Sequence, residues 1–231
     1  MATIEQNIQH VHERMAAACA ASERNCNAVQ LLAVSKTVAV DRIRQACMTG
    51  QSHFGENYVQ EALEKIPLLA DLKGLIHWHL IGALQSNKTR GVAQYFSWVH
   101  SLENARIAQR LNDQRPAELP PLNVCLQVNI SRQTTKAGLD PDDFAELARL
   151  AQQVSLMPRL QLRGLMAVVT PTLDTAAQRQ EHRSLHELLR RLNQQGLELD
   201  TLSMGMSADL EAAIAEGSTW VRVGTAIFGP R

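Results

Sequence analysis

The chain has 231 residues, 45% hydrophobic and 20% charged, an ordinary composition for a globular protein with a sizeable core. Lys plus Arg equals Asp plus Glu at 23 each, and a formal net charge of zero argues against a nucleic-acid or anionic-membrane surface. The four cysteines, Cys19, Cys26, Cys47 and Cys125, show neither CxxC pairing nor zinc spacing and read as reduced cytoplasmic thiols.

Residues 3–22 read as an amphipathic helix carrying His10, His12, Glu13 and Arg14, without the apolar run of a signal peptide. No later segment approaches membrane-spanning length. Strand-like runs then follow at 31–35, 52–56, 76–82, 97–102, 122–130, 162–169, 201–205 and 220–224. The segments between them carry helical spacing, and several end at Gly. The Pro-rich stretch at 115–121 reads as a surface loop entering the fifth strand. Eight strands alternating with helices imply a parallel sheet closed as a single (β/α)8 barrel, one domain over residues 1–231. The stretch after the eighth strand, TAIFGPR, is too short for an eighth outer helix, so the N-terminal helix is expected to fill that gap.

In such a barrel the chemistry lies at the C-terminal ends of the strands. Lys36 follows the apolar run "LLAVS" directly, where a buried strand has no structural use for an ammonium. Partial burial favours the neutral form of an amine, the form that makes a Schiff base, although a lysine snorkelling from a strand end explains Lys36 taken alone. In "SMGMSADLEAAIAEG" (203–217), Gly205 allows a sharp turn, Met206 follows it, and Ser207 is a good N-cap beside free backbone amides that suit a phosphate. Asp209 suits an ordinary cap and competes with an anion. In "VRVGTAIFG" (221–229), Gly224 admits close approach of a ligand, Thr225 adds a hydroxyl, and strand alternation puts Arg222 on the face of Gly224.

Loops after strands seven and eight are the recurrent phosphate site of these barrels, and a lysine opposite them points to pyridoxal phosphate. His77 with His79, and His182 with His186, lack an obvious third ligand, so packing roles are expected and no metal site. Asn57 and Tyr58 fall just beyond the second strand and Lys136 beyond the fifth, where turn chemistry explains them as well as function does.

The motifs "LLAVSKT", "FGENYVQEA", "WHLIGALQSNK", "RGLMA", "SMGMSADLEAAI" and "VRVGTAIFG" resemble the pyridoxal phosphate homeostasis proteins (the YggS/PROSC family), from about residue 2 to the C-terminus. That family is similar in fold to the barrel domain of alanine racemase. The resemblance implies pyridoxal 5'-phosphate held on Lys36 as a Schiff base, with phosphate contacts from Ser207, Gly224 and Thr225. It also implies that Met206 shapes the turn, that Arg222 faces the pyridine nitrogen and that Asn57 lies near the ring. Lys136 matches a family lysine near the cofactor mouth, and the basic tail of some relatives is absent after Arg231. The implied role is homeostasis of vitamin B6 and amino acids without enzymatic turnover, in a cytoplasmic monomer that passes cofactor to apo-enzymes.

The alternative is an amino-acid racemase. Racemisation needs a second base opposite Lys36, which related racemases take from a further domain, and only Tyr58 or Tyr95 could substitute within this chain. Arginine only donates hydrogen bonds, so a ring nitrogen facing Arg222 stays an unprotonated acceptor and a weaker electron sink.

Overall fold

The eight expected strands form, and each hydrogen-bonds in parallel to the next: β1 (Gln30–Val34), β2 (His53–Glu56), β3 (His77–Leu80), β4 (Trp98–Leu102), β5 (Leu122–Gln127), β6 (Leu160–Met166), β7 (Thr201–Met206) and β8 (Trp220–Val223). β8 returns to β1 with Leu32 opposite Arg222 and Ala33 opposite Val223, which closes the barrel. The computed structural model describes residues 2–230, so Met1 and Arg231, the ends of the expected domain, lie outside the described residues.

Strand alternation separates two cores. Leu31 and Ala33 of β1 point outward into the layer between sheet and helices, together with Phe54, Leu80, Val99, Leu126, Leu165 and Val221. Leu32 points inward, where it packs with Trp98, Cys125, Met166 and Trp220. The cysteines are all free, and burial pushes the Cys125 thiol far up and the Cys19 thiol up to about 11.

The outer ring consists of α2 (Val40–Met48), α3 (Val59–Leu68), α4 (Thr89–Tyr95), α5 (Ala105–Gln114), α6 (Phe144–Ser155), α7 (Thr175–Gln194) and α8 (Leu210–Ala215). After β8 only the four-residue α9 (Thr225–Phe228) follows, and α1 (Ile4–Ala21) takes the vacant place, packing on α8, α9 and α2. Its buried face of Ile4, Ile8, Val11, Met15, Ala18 and Cys19 has helical spacing, and Thr3 and Gln6 close its start as a reciprocal capping box. Asn7 Nδ2 donates to the Ile227 carbonyl at 2.8 Å, and Arg14 Nη2 donates to the Ser207 carbonyl at 3.0 Å while pairing with Glu211. No helix among the described residues is long and apolar enough to cross a membrane.

One local expectation is corrected. Ser207 does not cap α8; the cap position belongs to Asp209, and the helix spans only Leu210–Ala215. Asp209 turns its carboxylate backward, with Oδ1 accepting from Met206 N–H at 2.9 Å and Oδ2 facing His182 Nε2 at 2.9 Å. Gly205 just before this turn has φ +94, and a Cβ there would lie 2.5 Å from Ala213 Cβ, so only glycine fits.

Candidate functional site

β1 ends at Val34, and the chain then makes a tight turn in which the Val38 N–H returns to the Ser35 carbonyl. Thr37 has φ +58, a left-handed backbone that costs a β-branched residue energy, and its N–H donates to the Glu61 carboxylate. This turn leaves Lys36 half-buried at the barrel mouth, with no ion-pair or hydrogen-bond partner for its amine among the described residues.

A second lysine lies beneath it. Lys65 on α3 donates to the Ser35 carbonyl at 2.8 Å and to Glu56 Oε1 at 3.0 Å, and it also pairs with Glu61. Ser35 Oγ donates to the same Glu56 oxygen at 2.6 Å. Glu56 is fully buried, its other oxygen has no partner, and burial pushes its carboxyl up. Sequence reading missed Glu56 and Lys65. The residues around Lys36 are therefore fixed by a buried charge network that leaves the Lys36 amine outside it.

Asn57 follows β2, half-buried, with its Oδ1 enclosed and unpartnered. Its carbonyl presses on Gly82 beyond β3, where a Cβ would come within 2.2 Å. Tyr58 beside it is exposed, and the other tyrosine, Tyr95, ends α4 in the outer ring.

Across the mouth, the ends of β7 and β8 lie side by side, with Met206 opposite Arg222. Met206 and Ser207 are half-buried, and the Ser207 hydroxyl and the N–H groups of Ser207 and Ala208 carry no hydrogen bond among the described residues. The same holds for the N–H groups of Thr225 and Ala226 and for the Thr225 hydroxyl, in the turn opened by Gly224. Two neighbouring turns thus present neutral donors without acceptors among the described residues, next to the strand that leads into Lys36.

Arg222 lies inside the barrel, 5% exposed. Its Nη1 donates to the Ser203 carbonyl and, at 2.8 Å, to Ser203 Oγ, and its Nη2 donates to the Ala167 carbonyl at 2.7 Å. A guanidinium has five N–H donors. Its Nε–H and one Nη2–H remain without an acceptor among the described residues. Among the described residues no carboxylate touches it, and burial, partly offset by the nearby Asp209, pushes it down to about 10.

The structure brings Lys36, Asn57, Met206, Ser207, Arg222, Gly224 and Thr225 to the one end of the barrel where β1, β2, β7 and β8 finish. Lys136 lies in the loop after β5, at this same end of the barrel, where its amine donates to the Val168 and Val169 carbonyls at 3.3 and 3.1 Å. The histidine pairs separate: His182 bonds Asp209, and His186 meets the Glu216 carbonyl at 2.9 Å. His77 stacks on His53, whereas His79 is buried within the barrel. Among the described residues no group of three or more His, Cys, Asp or Glu could hold a metal ion.

The family model described as the N-terminal domain of alanine racemase matches residues 2–231, which defines the class of barrel. The chain is 55% identical over 231 residues to the pyridoxal phosphate homeostasis protein of Pseudomonas aeruginosa, covering 100% of this chain and 97% of that one. It is 49% identical over 233 residues to the Escherichia coli K12 protein of the same name, at 100% and 98% coverage. The chain belongs to the family of pyridoxal phosphate homeostasis proteins. A solved structure of PipY from Synechococcus elongatus with PLP bound matches at a TM-score of 0.84 and 38% identity, over 98% of this chain and 100% of that one. Alanine racemase from Streptomyces coelicolor matches at 0.73 and 20% identity, over 99% of this chain and 58% of that one, a likeness of fold alone.

Proposed function

We propose that the barrel mouth binds pyridoxal 5'-phosphate and that the protein serves the intracellular homeostasis of vitamin B6 and amino acids by holding and releasing it. One observation carries this reading: a lysine at the end of β1, unpartnered among the described residues, stands beside two turns with amides and hydroxyls that lack acceptors there. When bound, the cofactor supplies an aldehyde that condenses with a lysine amine with loss of one water. Lys36 is that lysine. Ser207, Gly224 and Thr225 hold the phosphate through backbone and hydroxyl donors, with Met206 shaping the turn. Arg222 gives its free N–H groups to the ring nitrogen, and Asn57 lies beside the ring.

The residues fit a carrier better than an enzyme. Arg222 donates and cannot accept, so it keeps the ring nitrogen an unprotonated acceptor, and the ring draws electrons less strongly than with a carboxylate partner. Tyr58 is exposed and Tyr95 lies in the outer ring, so neither is held as a base against Lys36. We read the protein as a cytoplasmic monomer that passes cofactor to apo-enzymes, in keeping with its four free cysteines.

Borohydride reduction of the loaded protein followed by peptide mass spectrometry is expected to leave the pyridoxyl group on Lys36, and Lys36→Ala to lose the cofactor absorption band. An unchanged band in Lys36→Ala assigns the covalent link to another lysine. Amino-acid racemase or transaminase turnover near about 1–10³ s⁻¹ in the wild type would replace the carrier reading with the enzyme one.

A further inference from the structure

The barrel interior holds a row of polar side chains that the cofactor reading leaves unused. His53 Nδ1 meets His79 Nε2 at 2.9 Å, His79 Nδ1 meets His100 Nε2 at 2.9 Å, and His100 Nδ1 meets Ser203 Oγ at 2.7 Å. Ser203 Oγ in turn accepts from Arg222 Nη1 at 2.8 Å. The row runs across β2, β3, β4, β7 and β8, and His79, His100 and Ser203 are fully buried. Its far end, His53, lines a cavity of about 290 Å³ with His12, Gln30, Thr49, Gln51 and Ser52. Trp98 and Trp220 pack on the imidazoles from the sides, with Trp98 stacked on His79 at 5.5 Å between ring centroids.

The chemistry allows this row only one direction. Burial, with Arg222 and the other imidazoles close by, holds His53 down to about 4, His100 down to about 3 and His79 well below its ordinary value. All three rings are neutral at pH 7, so each has one donor and one acceptor nitrogen. Arg222 can only donate, so Ser203 Oγ accepts from it. Were His100 Nδ1 also to donate to Ser203, the hydroxyl proton would have no acceptor in a fully enclosed place, a costly arrangement. Ser203 therefore donates to His100 Nδ1, His100 Nε2–H donates to His79 Nδ1, and His79 Nε2–H donates to His53 Nδ1. Every acceptor lone pair in the row then faces toward the guanidinium. This adds a line of aligned dipoles to the nearby Asp209 charge, which supports the buried guanidinium without touching it.

We propose that Ser203, His100, His79 and His53 are positioning residues for Arg222: a hydrogen-bonded chain of single polarity that fixes the guanidinium and leaves its Nε–H and remaining Nη2–H free for an acceptor at the mouth. The last step rests on the cofactor reading of the mouth; the chain and its polarity stand on the geometry alone. Ser203 is the link that sets the direction, because it is the one member able to accept from arginine and donate onward. His79 carries the direction between strands, since each of its nitrogens faces another imidazole.

The first test needs no cofactor. Multiple-bond ¹H–¹⁵N NMR of histidine-labelled protein at pH 7 is expected to show His53, His79 and His100 with Nε2 protonated and Nδ1 bare. A protonated Nδ1 on any of the three overturns the chain. The second test loads pyridoxal phosphate and compares absorption and retention. His100→Leu is expected to shift the absorption maximum and to weaken retention about tenfold, the equivalent of one well-placed hydrogen bond. His100→Gln, which keeps a donor and an acceptor, is expected to restore the maximum. Ser203→Ala serves the same comparison if His100→Leu does not fold. A folded variant with wild-type maximum and retention overturns the positioning role. Wild-type protein that takes up no cofactor overturns the reading of the mouth, while the tautomers still decide the chain.

Discussion

Lys36 and Lys65 reach the same strand end from opposite sides, and their surroundings differ completely. Lys65 is enclosed by Ser35, Glu56 and Glu61, whereas the amine of Lys36 has no partner among the described residues. Removing Lys65 leaves Glu56 buried beside no cation, and breaking a buried pair in this way costs about 3–5 kcal/mol. Lys65→Met is therefore expected to lower the urea midpoint strongly. The double variant Lys65→Met with Glu56→Gln should lose less than the sum of the singles, because the orphaned charge goes with its partner. Strict additivity would show that the two side chains do not interact. Lys36 was legible in the sequence because an ammonium interrupts an apolar run. Lys65 was not, because on a helix it sits among Glu61 and Glu64 like any surface charge, and only the fold turns it inward.

At the scale of elements, the turn from β7 into α8 depends on Asp209, which closes both the Met206 amide and the buried His182 ring. Asp209→Ala strands both, and each buried group left unsatisfied costs roughly 1–3 kcal/mol. Asp209→Asn keeps an acceptor for the amide and is expected to recover part of that loss in denaturant unfolding. Equal stability of Ala and Asn would show that these bonds contribute nothing. Residue type alone favoured Ser207 as the cap. The helix starts later because an aspartate carboxylate can tie back the strand end, and nothing in the local pattern distinguishes that geometry from a plain cap. Strand order and number were legible from the alternation of apolar runs with helical spacing. Strand ends were less so: 76–82 shortened to His77–Leu80 and 122–130 to Leu122–Gln127. Apolar residues continue past the last ladder pair and then serve the loops of the mouth.

The whole molecule feels the imidazole row as a dependence on pH. His79 and His100 are neutral when folded yet free to protonate near 6.5 when unfolded. Below that value the unfolded chain binds more protons than the native one, so stability rises with pH and is lost on acidification. The contribution is complete above about 6.5 and falls away toward about 4 for His53 and about 3 for His100. The slope approaches about 1.4 kcal/mol per pH unit for each enclosed imidazole. Urea midpoints measured between pH 7.5 and 5 should fall accordingly, and His100→Gln should fall less steeply. A flat profile would show that these rings are charged, or solvated, in the folded state. The row itself was invisible in the sequence, where His53, His79 and His100 are 26 and 21 residues apart and His79 pairs in pattern only with His77 on its own strand.

The helix that fills the gap in the outer ring also sets a timetable for synthesis. Two of its polar partners are made late: Asn7 waits 220 residues for Ile227, and Arg14 waits 193 for Ser207. At roughly 5–20 residues per second on the ribosome, that is a delay of about 10–40 s. During it, this 18-residue helix can pack on α2 but not yet on α8 or α9, and by itself it is only marginally stable. The part of its apolar face that packs on α8 and α9 therefore stays uncovered until those elements have been made.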